Sequence, residues 1–169
     1  MTLSVEGNDA SGWKVEPPKP FLNGEYDELD PAFSPDGRWV AYYSNESGSF
    51  EIYVRPFPGP GGKWQVSRGG GMTPRWSANG RELFYHTLDN RLMVADYTAS
   101  GDSFSVASPR MWSPGQFTAR GPNRNYDIHP DGERVVVMKV PDADIPTITK
   151  VSFILNFFEE VRRKVQGQS

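Results

Sequence analysis

Apolar residues in this chain come in short bursts, and the bursts are rich in residues that suit a pleated, packed surface. Trp39-Val40-Ala41-Tyr42-Tyr43, Leu83-Phe84-Tyr85 and Val135-Val136-Val137-Met138 each lie within a few residues of Gly, Pro, Asn or Asp. Their length and their β-branched or aromatic content predict strands. The apolar positions are consecutive rather than alternate. That pattern predicts strands covered on both faces, not a sheet with one wet face.

Each burst follows the same kind of turn. The three copies read Phe33-Ser34-Pro35-Asp36-Gly37-Arg38, Trp76-Ser77-Ala78-Asn79-Gly80-Arg81 and Ile128-His129-Pro130-Asp131-Gly132-Glu133. Pro presets the first corner, Asp36, Asn79 or Asp131 caps the turn with its side chain, and Gly37, Gly80 or Gly132 takes the left-handed position that returns the chain antiparallel. Each copy is therefore predicted to be a β-hairpin. The three glycines stand 43 and 52 residues apart, and a spacing of roughly 40 to 50 residues with several strands per unit predicts propeller blades.

The predicted fold class is all-β, with three four-stranded antiparallel blades spanning residues 13–155, a flexible stretch over 1–12 and a short helix and tail over 156–169. In the first blade strands a to d fall near 31–34, 39–44, 50–56 and 63–67. In the second they fall near 74–77, 82–87, 91–97 and 103–107 or slightly beyond. The third has strands near 126–129, 134–140 and 148–155, and no fourth. The segment Trp13-Lys14-Val15-Glu16 is a spare strand that can complete it. Closed propellers use about 4 to 8 blades, so three blades predict a twofold homodimer forming one six-bladed ring, each N-terminal strand completing the partner's last blade. The competing explanation is a piece of a longer chain.

Composition narrows the function. Gly (17) and Pro (15) are abundant and 13% of residues are aromatic, as many tight turns between aromatic-rich strands require. A net charge of −3 offers no basic surface for phosphates, so a nucleic-acid partner is not expected. There is no cysteine, which excludes a disulfide framework and a thiolate zinc site. No stretch approaches the ~20 apolar residues of a membrane-spanning helix, and residues 1–14 lack the apolar core of a secretory signal. As written, the chain is expected to stay where it is made.

The Phe33-Ser34-Pro35-Asp36-Gly37-Arg38-Trp39-Val40-Ala41-Tyr42 segment resembles the repeat of TolB-like propellers, also called the WD40-like or PD40 repeat. Glu51-Ile52-Tyr53-Val54-Arg55-Pro56-Phe57-Pro58-Gly59, followed by Gly62-Lys63-Trp64-Gln65-Val66-Ser67, is similar to the third and fourth strands of propellers appended to bacterial serine/threonine kinases. The ending Ile154-Leu155-Asn156-Phe157-Phe158-Glu159-Glu160 is similar to theirs as well. The resemblance spans about residues 13 to 161. It implies a half-propeller and a noncatalytic module that binds or scaffolds a protein, a peptide or a small ligand. It also points to a periplasmic or extracytoplasmic setting. The alternative it implies is a regulatory propeller from a kinase-type sensor or a propeller-containing serine peptidase. No kinase catalytic loop or Gly-rich nucleotide loop is present, so kinase activity does not carry over.

Candidate chemistry is sparse. The chain has no Gly-x-Ser-x-Gly elbow for a hydrolase, and neither catalytic residue nor cofactor is expected. Its two histidines, His86 and His129, fall in predicted strands with no ligand spacing, and read as packing or turn-supporting residues. Glu25, Asp27, Glu28 and Asp30 form an acidic cluster without the alternating Asp loop of a calcium site, which reads as a solvated run. Asn45-Glu46-Ser47 has the form of a glycosylation sequon. Strand a lines the channel in a propeller. On that register Asp30, Arg75 and Arg124, with Tyr126 and Asp127, ring one channel mouth, where arginines can clamp a carboxylate or phosphate. The competing reading of the same residues is a salt bridge between Asp30 and an arginine of the neighbouring blade. Over 156–166, Phe157, Phe158, Val161 and Val165 fall near helical spacing, with acids early and bases late, predicting a helix on the rim or against a partner.

Overall fold

The computed structural model describes residues 1–116 and 126–137, and everything described is β-strand, turn or irregular chain. In chain order the strands are β1 (Val5–Asn8), β2 (Gly12–Val15), β3 (Glu28–Phe33), β4 (Trp39–Ser44), β5 (Glu51–Pro56), β6 (Trp64–Gln65), β7 (Met72–Trp76), β8 (Glu82–His86), β9 (Arg91–Ser100), β10 (Ser103–Val106), β11 (Arg110–Gln116), β12 (Tyr126–Ile128) and β13 (Val135–Val137). All pairings are antiparallel. Among the described residues no helix is long and apolar enough to cross a membrane.

Two sheets are meanders in sequence order. The first runs β3-β4-β5-β6 and the second β7-β8-β9-β10, with β11 also on β9. β12 and β13 form a two-stranded third sheet, and β1 and β2 a separate hairpin. The 10-residue β9 outruns its neighbours, so two strands share it. β10 pairs with its far end, Val106 opposite Tyr97, while β11 pairs with its near end, Arg110 opposite Val94. The fourth-strand position of this sheet is thus filled by two segments, where a single strand near 103–107 was expected.

The three repeated turns share one construction. Gly37, Gly80 and Gly132 have φ of 69°, 68° and 74°, and each donates its N–H to the carbonyl of the residue three back, Ser34, Ser77 or His129. The Asp36 carboxylate accepts the Ser34 hydroxyl (2.6 Å) and the Arg38 N–H (3.1 Å). Asn79 Oδ1 accepts the Arg81 N–H at 2.9 Å, and the Asp131 carboxylate takes the Glu133 and Arg134 N–H groups. The Glu133 N–H foremost, with the Arg134 and His129 side chains, holds the Asp131 carboxyl down at about 2, and the Ser34 hydroxyl holds Asp36 below the usual range. In the third copy His129 replaces the serine, and its Nδ1 accepts the Asp131 N–H at 3.2 Å.

Consecutive apolar residues of β8 face opposite ways. Leu83 and Tyr85 join the first sheet's Trp39, Ala41, Tyr43, Ile52 and Val54 in one core. Phe84 joins Leu92, Val94 and Tyr126 in another, with Val135 and Val137 packed on it. Both faces of the second sheet are therefore covered, one by the first sheet and one by the third. The third sheet differs: Val135 and Val137 face inward, but Val136 is 65% exposed. Cover on both faces was expected there too, and β13 shows it on one. The expected strand at 148–155 and the expected helix over 156–166 lie outside the described residues.

At the first core, Phe104 of β10 meets the rings of Trp39, Trp64, Trp76 and Tyr97 at centroid distances of 5.1, 5.9, 6.1 and 5.3 Å. These rings come from both sheets, so one side chain fills the joint between them. Truncating a buried Phe costs about 3–5 kcal/mol. Phe104→Ala is expected to lower the denaturant midpoint of the whole chain by that amount of stability. A loss under about 1 kcal/mol, which a surface position shows, would place the joint elsewhere.

Candidate functional site

The first strands of the first two sheets lie side by side, and each is interrupted at the same point. The pairing of β3 with β4 shifts between Leu29 and Ala32, and that of β7 with β8 shifts between Met72 and Arg75. At these breaks Asp30 and Thr73 have φ of 48° and 53°. Each immediately precedes a proline, Pro31 or Pro74. A left-handed conformation costs a residue with a side chain roughly 1–2 kcal/mol. Local strain of this kind is held only where surrounding contacts over-determine it.

Those contacts are polar. Arg75 Nη2 reaches both oxygens of Asp30, at 3.2 and 3.3 Å, and its Nη1 donates to the Pro74 carbonyl. Trp76 Nε1 donates to the Ala32 carbonyl at 2.9 Å. The Tyr126 hydroxyl donates to the Thr73 carbonyl at 2.6 Å, so the third sheet is anchored on the strained residue of the second. Burial, above all, pushes the Tyr126 hydroxyl pKa up, so it remains a donor at any ordinary pH. The ring of His86 lies 4.4 Å from that of Tyr126.

Three buried polar atoms at this edge have no hydrogen-bond partner: Thr73 Oγ1, Arg75 Nε and His86 Nε2. Natural structures leave few such atoms unsatisfied, and each one left calls for an explanation such as a bound water or ion. The Arg75 side chain is 13% exposed and that of Asp30 28%, so the ion pair sits at the rim of the buried zone. The Nη2 end of Arg75 is occupied, while the neighbouring Nε–H of the same fork is not.

Of the residues expected at one channel mouth, the structure brings together Asp30, Arg75 and Tyr126. Asp30 and Arg75 form the salt bridge between neighbouring sheets that was the competing reading of these positions. Asp127 is exposed, and its carboxylate accepts the N–H of Ile128 at 3.1 Å; it makes no contact with Arg75. Arg124 lies outside the described residues. The acidic cluster is dispersed. Asp27 is tied to Asn45, through its N–H and its carboxylate, and Asp30 to Arg75. Among the described residues no group of three or more His, Asp or Glu is placed to hold a metal. Thr73 was missed by sequence reasoning. Its signal is its place seven residues before the turn glycine and directly before a proline, which is also the place of Asp30.

A second polar cluster is structural. The buried Glu51 carboxylate accepts the Ser67 hydroxyl and the N–H groups of Gly69 and Gly70, at 2.8 and 2.9 Å for the latter two. It pins the Gly-rich link between the first and second sheets. Comparison with known proteins finds no family model that matches the chain and no match among curated proteins.

His86 is only 2% exposed, and burial lowers its pKa from 6.5 to about 4. The unfolded chain takes up a proton below about 6.5, whereas the folded one resists it until about 4, so stability falls as pH drops through that window. At 1.36 kcal/mol per unit, the loss attributable to this residue is about 3 kcal/mol. Urea unfolding of the wild type and His86→Gln at pH 7, 5.5 and 4 tests this. The wild type should lose stability faster on acidification, and parallel pH profiles would refute it.

Proposed function

We propose that this chain is a TolB-like propeller portion acting as a noncatalytic binding or scaffolding module, whose ligand contact is Arg75 at the strained first-strand edge. Repeated turns of one construction and sheets packed face to face support the propeller reading. The contact reading is carried by Arg75, a rim guanidinium held by an internal carboxylate with its Nε–H unpartnered.

The chemistry suits a carboxylate ligand. A guanidinium binds carboxylate best through two parallel N–H bonds from adjacent nitrogens. Asp30 meets only one nitrogen, with both oxygens. An incoming carboxylate, such as the free C-terminus of a peptide, that displaces Asp30 and uncovers the buried Nε gains the second bond by engaging Nε and Nη2 together. Asp30 then acts as a competing internal ligand. Its left-handed backbone, relaxed when the ion pair opens, partly offsets the loss of that pair.

Calorimetric titration with a short peptide bearing a free C-terminal carboxylate, alongside its C-terminal amide, tests the proposal. The free acid should bind and the amide should not. Arg75→Gln should weaken binding by about tenfold or more, the cost of losing a charge-assisted pair. Asp30→Asn should strengthen it by removing the competitor. Equal affinity of acid and amide, or of wild type and Arg75→Gln, would sink the assignment.

A further inference from the structure

The β1–β2 hairpin and the chain after it repeat the outer half of the second sheet, residue for residue in register. Val5 pairs with Val15 as Tyr97 pairs with Val106, and Gly7 pairs with Trp13 as Ala99 pairs with Phe104. The isolated bridge between Thr2 and Lys19 answers to the pairing of Val94 with Arg110. Between them, the Glu16 N–H bonds the Ser4 carbonyl at 2.9 Å, and the Ala107 N–H bonds the Asp96 carbonyl at 2.8 Å. The match extends to sequence, Val15-Glu16-Pro17-Pro18-Lys19-Pro20-Phe21 against Val106-Ala107-Ser108-Pro109-Arg110-Met111-Trp112. The segment also reaches the first sheet, where Phe21 meets Phe57, just past β5, at 5.5 Å. Residues 1–21 are therefore the third and fourth strands of a further sheet, placed before the first.

The equivalence also says what the open face is built to do. Ala95, Tyr97 and Phe104 bury the second sheet's face against the first sheet. Their counterparts Leu3, Val5 and Trp13 are 55, 50 and 63% exposed, and Val15 beside them 56%. A face of this size and alternation marks an interaction surface, and a two-stranded hairpin is marginal without such cover. The cover it matches is the outward face of a repeat sheet. The third sheet carries one. Val136 stands four residues past its turn glycine, as Ala41 and Phe84 do, yet it is 65% exposed where they are fully buried.

We infer that the Leu3, Val5, Trp13 and Val15 face docks on the outward face of the third sheet, around Val136, in a second copy of this chain. This rests on the propeller-type reading above. Twofold symmetry buries both open ends twice and closes the assembly, whereas a head-to-tail arrangement that fails to close runs on as a filament.

Light scattering on a sizing column, over a range of concentrations, tests it with Trp13→Glu and Val136→Glu. Both positions are exposed in the single chain, so each variant should keep the wild-type circular dichroism spectrum at room temperature, its thermal midpoint falling only as loss of the dimer requires. The wild type should weigh twice the 18.9 kDa of one chain. Each substitution should raise the dimer dissociation constant by about tenfold or more, as charge placed at a buried hot spot does. A wild-type monomer, a dimer indifferent to both changes, or one dissociated by a single substitution only overturns the inference. The peptide titration reads Arg75 separately, so failure here and failure of the binding assignment are distinguishable.

Discussion

The structure hangs on the seam between the first two sheets, and the seam on aromatic rings that neither sheet can bury alone. Trp39 and Trp64 come from the first sheet, Trp76, Tyr97 and Phe104 from the second, and they interlock at 4.8 to 6.1 Å. A single four-stranded meander of this length leaves both faces wet. Stacking solves the problem for each sheet only by passing an open face to the next. Hence the third sheet sits on Phe84, and hence its own other face is left with an exposed Val136.

Polar groups are confined to edges of that apolar stack, where they do two different jobs. The Glu51 carboxylate collects the donors of the Gly-rich link and leaves none of them wanting. The Asp30, Thr73, Arg75 and His86 edge is the opposite case: it stores backbone strain and leaves three buried atoms without partners. A satisfied network specifies a fold, and a partly satisfied one is where a protein can still gain from a ligand or water. Buried atoms without partners also occur at Trp39, Arg55 and Arg91; what sets the Asp30 edge apart is that such atoms coincide there with two left-handed residues.

The hairpins were legible because turn chemistry and strand content agree. Pro or Ala, then Asp or Asn, then Gly, ahead of Trp39, Glu82 or Arg134, fixes each turn to the residue; β4, β8 and β9 begin where the pattern puts them, and β5 one residue later. Two kinds of feature escaped. Register along an over-long strand is not written in composition, so the division of β9 between β10 and β11 was invisible. Residues 1–12 were expected to be flexible, although Met1, Leu3 and Val5 alternate with polar residues as in a half-covered strand. In the structure Val5–Asn8 is a strand paired with Gly12–Val15, the partner expected to stand alone. The strain at Thr73 escaped because threonine is an unlikely residue for positive φ; only its alignment with Asp30 betrays it.

Counting back from the turn glycines separates scaffold from chemistry. Three residues before each glycine stand Ser34, Ser77 and His129, all bonded into the turn; five before stand Ala32, Arg75 and Asp127. The first position serves one role in every copy, because the turn fails without a partner there. The second is free to be apolar, cationic or anionic, because it lies on the inner strand beside the register break and outside the aromatic seam. A repeat that is rigid at its turns and permissive at this one position can change what it recognises without changing how it folds. In this chain the position carries a half-buried cation in the middle copy, paired with the Asp30 of the copy before it.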